Sequence, residues 1–452
     1  MDITIVGAGK LGKRLAKLLT GENHNITVID IKEDIVDQMV ETYDVQGVFG
    51  SGTHCDVLKE SNIKAADLLI ATTPSDENNI LSCLIARRMG VENTIARVRD
   101  PEYLRQTNFM RNELGISLMI NPDYAGALEI FRMLQFPSAI NIETFSKGRI
   151  DMAEIKIDKE SPVNNVKISD ISSDYRDRML ICAVNRNDEI FIPNGDFVIK
   201  ENDRIHITGS HKYLGKIVKY LSGKKNASIK NIMLIGGSRI TIYLANLLAS
   251  IGKNVIIVEK NNNKCKRLCE YCPNASVLCG DANDYDFLLE IGIERMDAVV
   301  TLTNTDETNF LVSMYAKNVG VSKNISKINN PNLAKMLDEM GRDSHINVSE
   351  ITGDMITQYV RAKKSVNSSY MRTLYNLVDG QIEAIEFETG DYVTFIGKPL
   401  SSIKLKKNVL IAAINRKNKI IFPSGNDTVE KGDIVIVVSK EHKLDNLNDI
   451  LA

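Results

Sequence analysis

No apolar stretch in these 452 residues approaches the roughly 18 needed to cross a bilayer, so no membrane-spanning segment is expected. The opening Met1-Asp2-Ile3 enters a strand pattern directly, without the basic flank and apolar run of a secretory leader, and the expectation is a cytoplasmic chain. Long blocks of one charge sign are missing too: 56 lysines and arginines nearly balance 58 aspartates and glutamates. Neither nucleic acid nor an anionic membrane is favoured as a bulk electrostatic partner, and any membrane role has to run through another protein. Catalytic signatures are equally scarce. The six histidines are scattered, and no Ser-His-Asp order, zinc-ligand spacing or Walker lysine appears. His54 alone falls near the glycine-rich turn described below, and His206, between Ile205 and Ile207, reads as a strand residue rather than a proton shuttle. The seven cysteines are an odd count, which suits a reducing compartment better than a disulfide framework.

What the chain does have is a copy of itself. LICAVNRNDEIFIPNG from Leu180 aligns with LIAAINRKNKIIFPSG from Leu410, an offset of 230 that also pairs Arg186 with Arg416 and Asp203 with Asp433. Near the start the offset is 229, which places Gly7 on Gly236 and Asp30 on Glu259. A period this long implies duplication of a whole module rather than a solenoid repeat. The first part of each module alternates short apolar strands with helical patterns, the signature of a parallel sheet wound with helices. The second part is β-rich and reads as a small α+β domain. The expected boundaries are 1–138, 139–221, 231–367 and 368–452, with the polar stretch Ser222 to Asn231 as the linker between modules. On this alignment Cys265, Cys269, Cys272 and Cys279 replace Val36, Val40, Tyr43 and Phe49, so buried packing is expected of them rather than a metal or redox cluster.

The chemistry concentrates where ITIV turns into KLGKRLAKLL. Between a strand and a helix, Gly7 permits a tight turn, Gly9 lets the backbone approach a pyrophosphate, and Gly12 lets helix and strand pack closely. The start of the helix then offers unpaired N–H groups and partial positive charge to that phosphate. Asp30 ends the next strand at the right spacing to accept hydrogen bonds from ribose hydroxyls, and its charge opposes a 2′-phosphate, which favours NAD(H) or an adenine nucleotide. Gly50 to Thr53 and Ala71 to Asn79 follow the third and fourth strands, at carboxyl ends where such sheets bind ligands. Arg97 and Arg99 alternate, so they either aim two guanidinium groups at phosphates or form a solvated, salt-bridged pair. In the second copy Ser238 and Thr241 replace the second and third glycines, Glu259 keeps the acid, and Lys327 and Asn329 stand for the arginines. A side chain at Ser238 holds a pyrophosphate off the backbone, so weaker binding or none is expected there.

The tandem arrangement, with VGAGKLGKRLA, VID, GSGT, ATTPSDENN, ARVRDP and the trailing IFIPNG and ENDRIHITG, resembles the TrkA family of regulatory subunits of Trk potassium uptake systems over essentially the whole chain. The resemblance implies an α/β fold: tandem Rossmann-like, doubly wound parallel sheets of the RCK (KTN) type, each followed by a small α+β RCK C-terminal domain. It implies a non-enzymatic protein that binds NAD(H) and ATP or ADP. It further implies a homotetramer, peripheral to the inner face of the cell membrane, that gates an integral-membrane potassium transporter of the TrkH or TrkG kind. On the family pattern Gly7, Ala8, Gly9, Lys10, Leu11 and Gly12 would hold phosphates, and Asp30, with Glu259 in the second copy, the ribose. Ser51, Gly52, Thr53, Thr72 and Thr73 would line the pocket, and Arg97 and Arg99 would reach phosphates or a neighbouring subunit. One departure is Ser51, where the family often carries an acid that Gly280-Asp281-Ala282 retains. Helices after about Asp123 and Ser349 are expected either to cross between neighbours or to pack on their own domain. A nicotinamide-dependent oxidoreductase, or the regulator of another ion channel or antiporter, is the alternative function.

Overall fold

The computed structural model describes residues 1–452 apart from 137–140, 146–149, 177, 188, 224–228, 340–343, 365–370, 378–380 and 441–443. Strands β1 (Asp2–Val6), β2 (Asn25–Asp30), β3 (Gln46–Phe49), β4 (Leu68–Ala71), β5 (Asn93–Arg97) and β6 (Leu118–Ile120) form a parallel sheet in the order β3-β2-β1-β4-β5-β6. Covered on both faces, its central strands are apolar without alternation: Ile3, Ile5 and Val6 of β1 and all of β4 are buried. The connecting helix Lys10–Gly21 turns Leu11, Leu15, Ala16 and Leu19 inward as one stripe. Strand order reverses between β1 and β4, which opens a crevice at their carboxyl ends.

An antiparallel sheet follows, made of β7 (Asn141–Phe145), β8 (Ile150–Lys156), β9 (Met179–Arg186), β10 (Glu189–Phe191) and β11 (Arg204–Ser210) in the order β10-β9-β11-β8-β7. The helix His211–Ser222 packs its Leu214, Ile217, Val218 and Leu221 into that sheet's core. The second copy repeats both topologies. Strands β12 (Asn231–Ile235), β13 (Asn254–Glu259), β14 (Ser276–Cys279), β15 (Ala298–Thr301), β16 (Lys323–Lys327) and β17 (Ser344–Ile346) run β14-β13-β12-β15-β16-β17. Strands β18 (Met371–Leu377), β19 (Ile382–Glu388), β20 (Val409–Arg416), β21 (Lys419–Ile421) and β22 (Ile434–Lys440) run β18-β19-β22-β20-β21.

Like packs with like. Met1–Phe131 and Ile229–Thr357, the two parallel-sheet modules, form one compact unit, and Arg132–Ser228 with Gln358–Ala452 form the other. Within the second unit the two antiparallel sheets share a core in which Ile150, Met152, Cys182 and Ala183 meet Ile382, Ala384, Ala412 and Ala413. The small side chains bring the backbones close enough for Thr208 Oγ1 to donate to the carbonyl of Ala412 at 3.0 Å. The boundaries expected near 138 and 367 fall at or beside residues outside the description. The ends of the expected linker are structured, since Ser222 closes a helix and Asn231 opens β12.

The cysteine expectation needs correcting in part. Cys265 and Cys272 are buried, but Cys269 and Cys279 are exposed. For Cys279 the cause is position, since β14 is an edge strand and its first-copy counterpart Phe49 is also exposed; Cys269 lies on the outer side of the helix Asn262–Tyr271, as its counterpart Val40 does in the first copy. His206 is buried in β11, and that burial lowers its imidazole pKa below the usual value.

The residues paired by the repeat as Arg186/Arg416 and Asp203/Asp433 form the same bidentate ion pair twice. Arg186 Nε and Nη2 each donate to Asp203 at 2.7 Å, and Arg416 Nε and Nη2 donate to Asp433 at 3.0 and 2.8 Å. Each aspartate also accepts a backbone N–H of its own turn, from Lys200 and Glu430 respectively, at 2.7 Å. Asp203 is fully buried, so removing it leaves Arg186 Nε and a turn amide without their acceptor and the guanidinium with the Val198 carbonyl alone. Asp203→Ala is expected to cost about 3 kcal/mol in urea unfolding of the full chain. Lys167→Ala, which breaks the exposed pair with Asp196, should cost less than about 0.5 kcal/mol. Equal midpoints for the two variants would remove the ion pair from the account.

Candidate functional site

The glycine turn is held from three sides. Gly7 has φ +97° and donates its N–H to the Ile29 carbonyl at 2.8 Å, and a Cβ there would come within 2.9 Å of the Thr73 nitrogen. A Cβ on Gly12 would run into the Gly7 carbonyl oxygen, which Thr72 Oγ1 also binds, at 2.9 Å. Asp30 Oδ2 accepts the Ala8 N–H at 2.7 Å, and Oδ1 accepts that of Lys32 at 3.1 Å. Gly9 differs from its neighbours. A Cβ at Gly9 would meet nothing within 4 Å, and no side chain caps the helix that begins after it. The first-turn amides thus face open space with the positive end of the helix behind them.

That space is a cavity of about 760 Å³ lined by Gly7, Gly9, Lys10, Leu11, Asp30, Ser51, Gly52, Thr53, Thr72, Thr73, Arg97 and Arg99 among others. The sequence-predicted residues missing from its wall have other places. Ala8 is buried with its N–H committed to Asp30, Gly12 sits behind the turn, and Glu259 belongs to a separate cleft. Leu11 is buried, leaving its backbone as the part able to meet a ligand. The Ser51 and Thr53 hydroxyls pair at 2.8 Å. His54 is exposed at the start of the helix Cys55–Glu60 and is not part of the wall. Among the described residues, no group of three or more His, Cys, Asp or Glu is arranged to hold a metal ion.

The two arginines are ordered by the loop after β4. Arg97 Nη2 donates to the Thr73 carbonyl at 2.6 Å and Arg99 Nη2 to that of Pro74 at 2.9 Å, while the buried Nε of each has no partner. Behind the loop stands Asn79, a fully buried side chain that sequence reasoning passed over. Its Oδ1 accepts from Thr73 N and Oγ1 at 2.8 and 2.7 Å, and its Nδ2 donates to the carbonyls of Thr73 and Arg97 at 3.0 and 2.8 Å. Asn309 repeats these bonds with Thr303 and Lys327, so recurrence at the 230 offset was the available signal.

A further wall comes from the second module. Val348, Ser349 and Thr352, from the helix Val348–Lys364, line the first cavity together with Pro122 and Asp123. Arg14 Nη1 meets Glu350 at 3.0 Å, which fastens this helix to the first module. Reciprocally, the helix Pro122–Gln135 starts against the second module: Asn121 Nδ2 donates to Tyr243 Oη at 3.0 Å, and the Tyr124 and Tyr243 rings meet edge to face at 5.4 Å. The crossing therefore occurs between the two modules of one chain. Arg14 aligns with Tyr243 and Glu350 with Tyr124, so one crossing contact is ionic and its counterpart aromatic.

Positive charge gathers at this junction. Burial raises the Asp123 carboxyl pKa, and the charges of Arg99, Arg239, Arg97 and Lys327 oppose that rise. Burial, followed by repulsion from Arg99, lowers Arg97 to about 10, and Lys327 is lowered first by burial. Asp76 and Asp306 offset part of this charge, and for Arg97 and Lys327 the cost of burial still prevails, which an anionic ligand would relieve.

The second cleft, about 270 Å³, is lined by Gly236, Gly237, Ser238, Glu259, Lys260, Lys264, Gly280, Asp281 and Thr303 among others. Glu259 copies Asp30, accepting Gly237 N at 2.7 Å and Asn261 N at 2.8 Å. The helix start does not. Ser238 Oγ accepts the Thr241 N–H at 3.3 Å and Thr241 Oγ1 accepts that of Ser238 at 3.2 Å, a closed capping box. Side chains here occupy the amides that the first module leaves open.

The models of two domain families match the chain twice each: the TrkA-N domain at residues 3–122 and 232–348, and the TrkA-C domain at 152–222 and 385–452. The Trk system potassium uptake protein TrkA homolog 1 of Methanosarcina mazei is 32% identical over 447 residues, covering 97% of each chain. The Archaeoglobus fulgidus TrkA homolog is 29% identical over 450 residues and all of both chains, and Vibrio alginolyticus TrkA is 29% identical over 458 residues. Among solved structures, the NAD-bound GsuK channel superposes with a TM-score of 0.65 at 20% identity, covering 97% of this chain and 77% of that one. The GsuK RCK domain gives 0.64 at 20% identity, with 97% and 92% covered. These superpositions show that the fold is shared.

Gly12→Ala is expected to lower stability by about 2 kcal/mol or more, since the new methyl group displaces the Gly7 carbonyl. Gly9→Ser, which copies Ser238, should leave stability unchanged or raise it by a few tenths of a kcal/mol by capping the helix. Thermal unfolding of the two variants checks the contrast, and similar losses in both would contradict the geometry.

Proposed function

Because the chain belongs to the TrkA family, we propose that it is the nucleotide-binding regulatory subunit of a Trk-type potassium uptake system. On this reading it gates an integral-membrane potassium transporter of the TrkH or TrkG kind according to whether NAD(H), ATP or ADP is bound. The observation that carries the reading is the first cavity: uncapped amides after Gly9 and the Asp30 carboxylate on one side, the second module's helix on the other. The turn from Gly7 to Gly12 receives the phosphates, with Lys10 at its mouth. Asp30 uses one lone pair of each oxygen on the backbone and keeps the rest for ribose hydroxyls. Ser51, Gly52, Thr53, Thr72 and Thr73 frame the nucleoside, and Arg97 and Arg99 carry the phosphate charge. Glu259 offers the equivalent ribose contact in the second cleft, where the capping box weakens phosphate binding.

Regulation follows from the shared wall. A ligand touching both modules favours the arrangement in which it touches most, and two nucleotides with different reach favour different arrangements. The transporter can be shifted by no more than that difference in affinity. On this reading the subunit acts on the transporter from the cytoplasmic face, as a homotetramer; among the described residues no helix is long and apolar enough to cross a membrane.

Full-length protein titrated with NADH, ATP and ADP is expected to bind at the first cavity. Gly9→Ser should weaken that binding at least tenfold, about 1.4 kcal/mol, at unchanged melting temperature. Potassium flux through vesicles holding the membrane partner should respond to nucleotide with the wild-type subunit and not with Gly9→Ser; flux indifferent to nucleotide in both would defeat the proposal. Asp123 supplies a pH signature. Its raised carboxyl loses its negative charge as pH falls through that raised value, so oxidised NAD, whose pyrophosphate does not titrate there, should bind more tightly as the carboxyl takes up its proton. Asp123→Asn should tighten binding at pH 7 by roughly fivefold, about 1 kcal/mol, and flatten this dependence. An unchanged slope would show that the charge lies elsewhere.

A further inference from the structure

The cysteines of the second module are left over from the nucleotide reading. Strand β13 ends at Glu259, which pairs in register with Cys279 at the end of β14. The helix Asn262–Tyr271 starts directly after β13, and its first turn carries Cys265 back over the strand end. Cys265 Sγ donates to the Glu259 carbonyl at 3.2 Å, and Cys279 Sγ reaches that of Lys260 at 3.9 Å. Two thiols on different elements thus sit against adjacent carbonyls of one strand end. We propose that Cys265 and Cys279 are a redox modification site, oxidised by a peroxide to an intramolecular disulfide at the rim of the second cleft.

The pair is asymmetric in a way that assigns roles. Cys279 is exposed on an edge strand and Cys265 is buried, so a small oxidant meets Cys279 first. Burial, then the neighbouring Cys279 thiol, pushes Cys265 up to about 11, which keeps it a protonated thiol at neutral pH. In the first step the Cys279 sulfur attacks one peroxide oxygen; the O–O bond breaks, one oxygen stays as the sulfenic acid and the other leaves as water. In the second step Cys265 sulfur attacks the sulfenic sulfur, the S–O bond breaks, and a second water leaves with the Cys265 proton. Two thiols give up two electrons, and one peroxide takes them.

The other second-module cysteines are placed differently. Cys272 Sγ lies 4.0 Å from the Ile242 carbonyl, on the side of the helix Arg239–Ser250, and Cys269 is exposed one turn along from Cys265. In the first module Val36 and Phe49 stand at the pair's positions, so the chemistry is confined to the second. Glu259, Lys260 and Lys264 form one side of the second cleft and Gly280 and Asp281, directly after Cys279, another. The disulfide would pin these two sides together and leave the first cavity as it is.

The test is stoichiometric hydrogen peroxide on the reduced full-length protein, followed by thiol counting and peptide mapping without reductant. The expected result is a loss of two of the seven thiols, with the peptides of Cys265 and Cys279 joined and released again by dithiothreitol. Cys279→Ser, an exposed and conservative change, should abolish the link, and Cys269→Ser should keep it. Cys265→Ser should leave Cys279 as a trappable sulfenic acid; if that variant does not fold, the mapping and Cys279→Ser decide alone. A link through Cys269 or Cys272, a link between chains, or Cys279 running on to sulfinic acid with Cys265 still free would overturn the proposal.

Discussion

The first amides of an α-helix have no partners within the helix, and the way each module deals with that deficit organises the rest of the protein. In the first module Gly9 supplies no side chain for them, and Asp30 is engaged one residue earlier, on the amide of Ala8 just before the helix. Every surrounding feature keeps that opening in shape. Gly7 takes a backbone conformation that side chains disfavour, and Thr72 holds its carbonyl. Asn79 in turn fixes the loop that carries Thr72 and Thr73 and the strand end that carries Arg97. In the second module the same deficit is met by Ser238 and Thr241. One substitution class, glycine to hydroxyl residue, separates an open helix start from a closed cap within the same surrounding fold.

Duplication also explains how two such modules come to depend on each other. Each ends in a helix that begins on its partner module, and the two crossings have diverged. The Tyr124–Tyr243 contact, backed by Asn121 on Tyr243, is a packed aromatic pair of about 1 kcal/mol that salt does not weaken. The Arg14–Glu350 contact is a half-exposed ion pair, with the side chains 31% and 46% accessible, and such pairs contribute roughly 0–1 kcal/mol and are screened. The side that closes the open cradle is thus the more weakly fastened one. A nucleotide spanning the first cavity would add its own contacts where the chain supplies least.

Sequence pattern was most informative where one local rule acts alone. Parallel-sheet topology followed from alternating strand and helix patterns, the turn followed from glycine spacing, and the equivalence of Asp30 and Glu259 followed from the repeat. The misses have a common cause. Val348, Ser349 and Thr352 reach the first cavity only because duplicated faces bury each other, which groups residues 1–131 with 229–357 instead of with the small domain next in sequence. Asn79 lies in a polar stretch, SDENN, whose residues differ in burial but not in composition. Cys279 was misjudged because the repeat supplies its neighbours but not its position at a sheet edge. The repeat did single out Arg186 and Asp203, but as a correspondence; only the folded turn shows that they pair with each other.

The junction's charge brings these threads together. Arg97, Arg99, Arg239 and Lys327 come from both modules and converge on Asp123, whose own ionisation is opposed by burial. Bringing cations out of water is costly unless anions or acceptors meet them, and here the carbonyls of Thr73 and Pro74 meet only part of the two arginine forks. A structure held together for stability alone would have little reason to keep these groups, since apolar side chains of similar volume would pack the same space at lower cost. On the proposed function, charge that is tolerated in the unliganded arrangement and relieved by a bound phosphate would make the separation of the modules depend on occupancy. Lys327 in the place of Arg97, and Asn329 in the place of Arg99, would make that dependence one-sided. The rigid forks face the open cradle, while the second module contributes a flexible ammonium and a neutral amide.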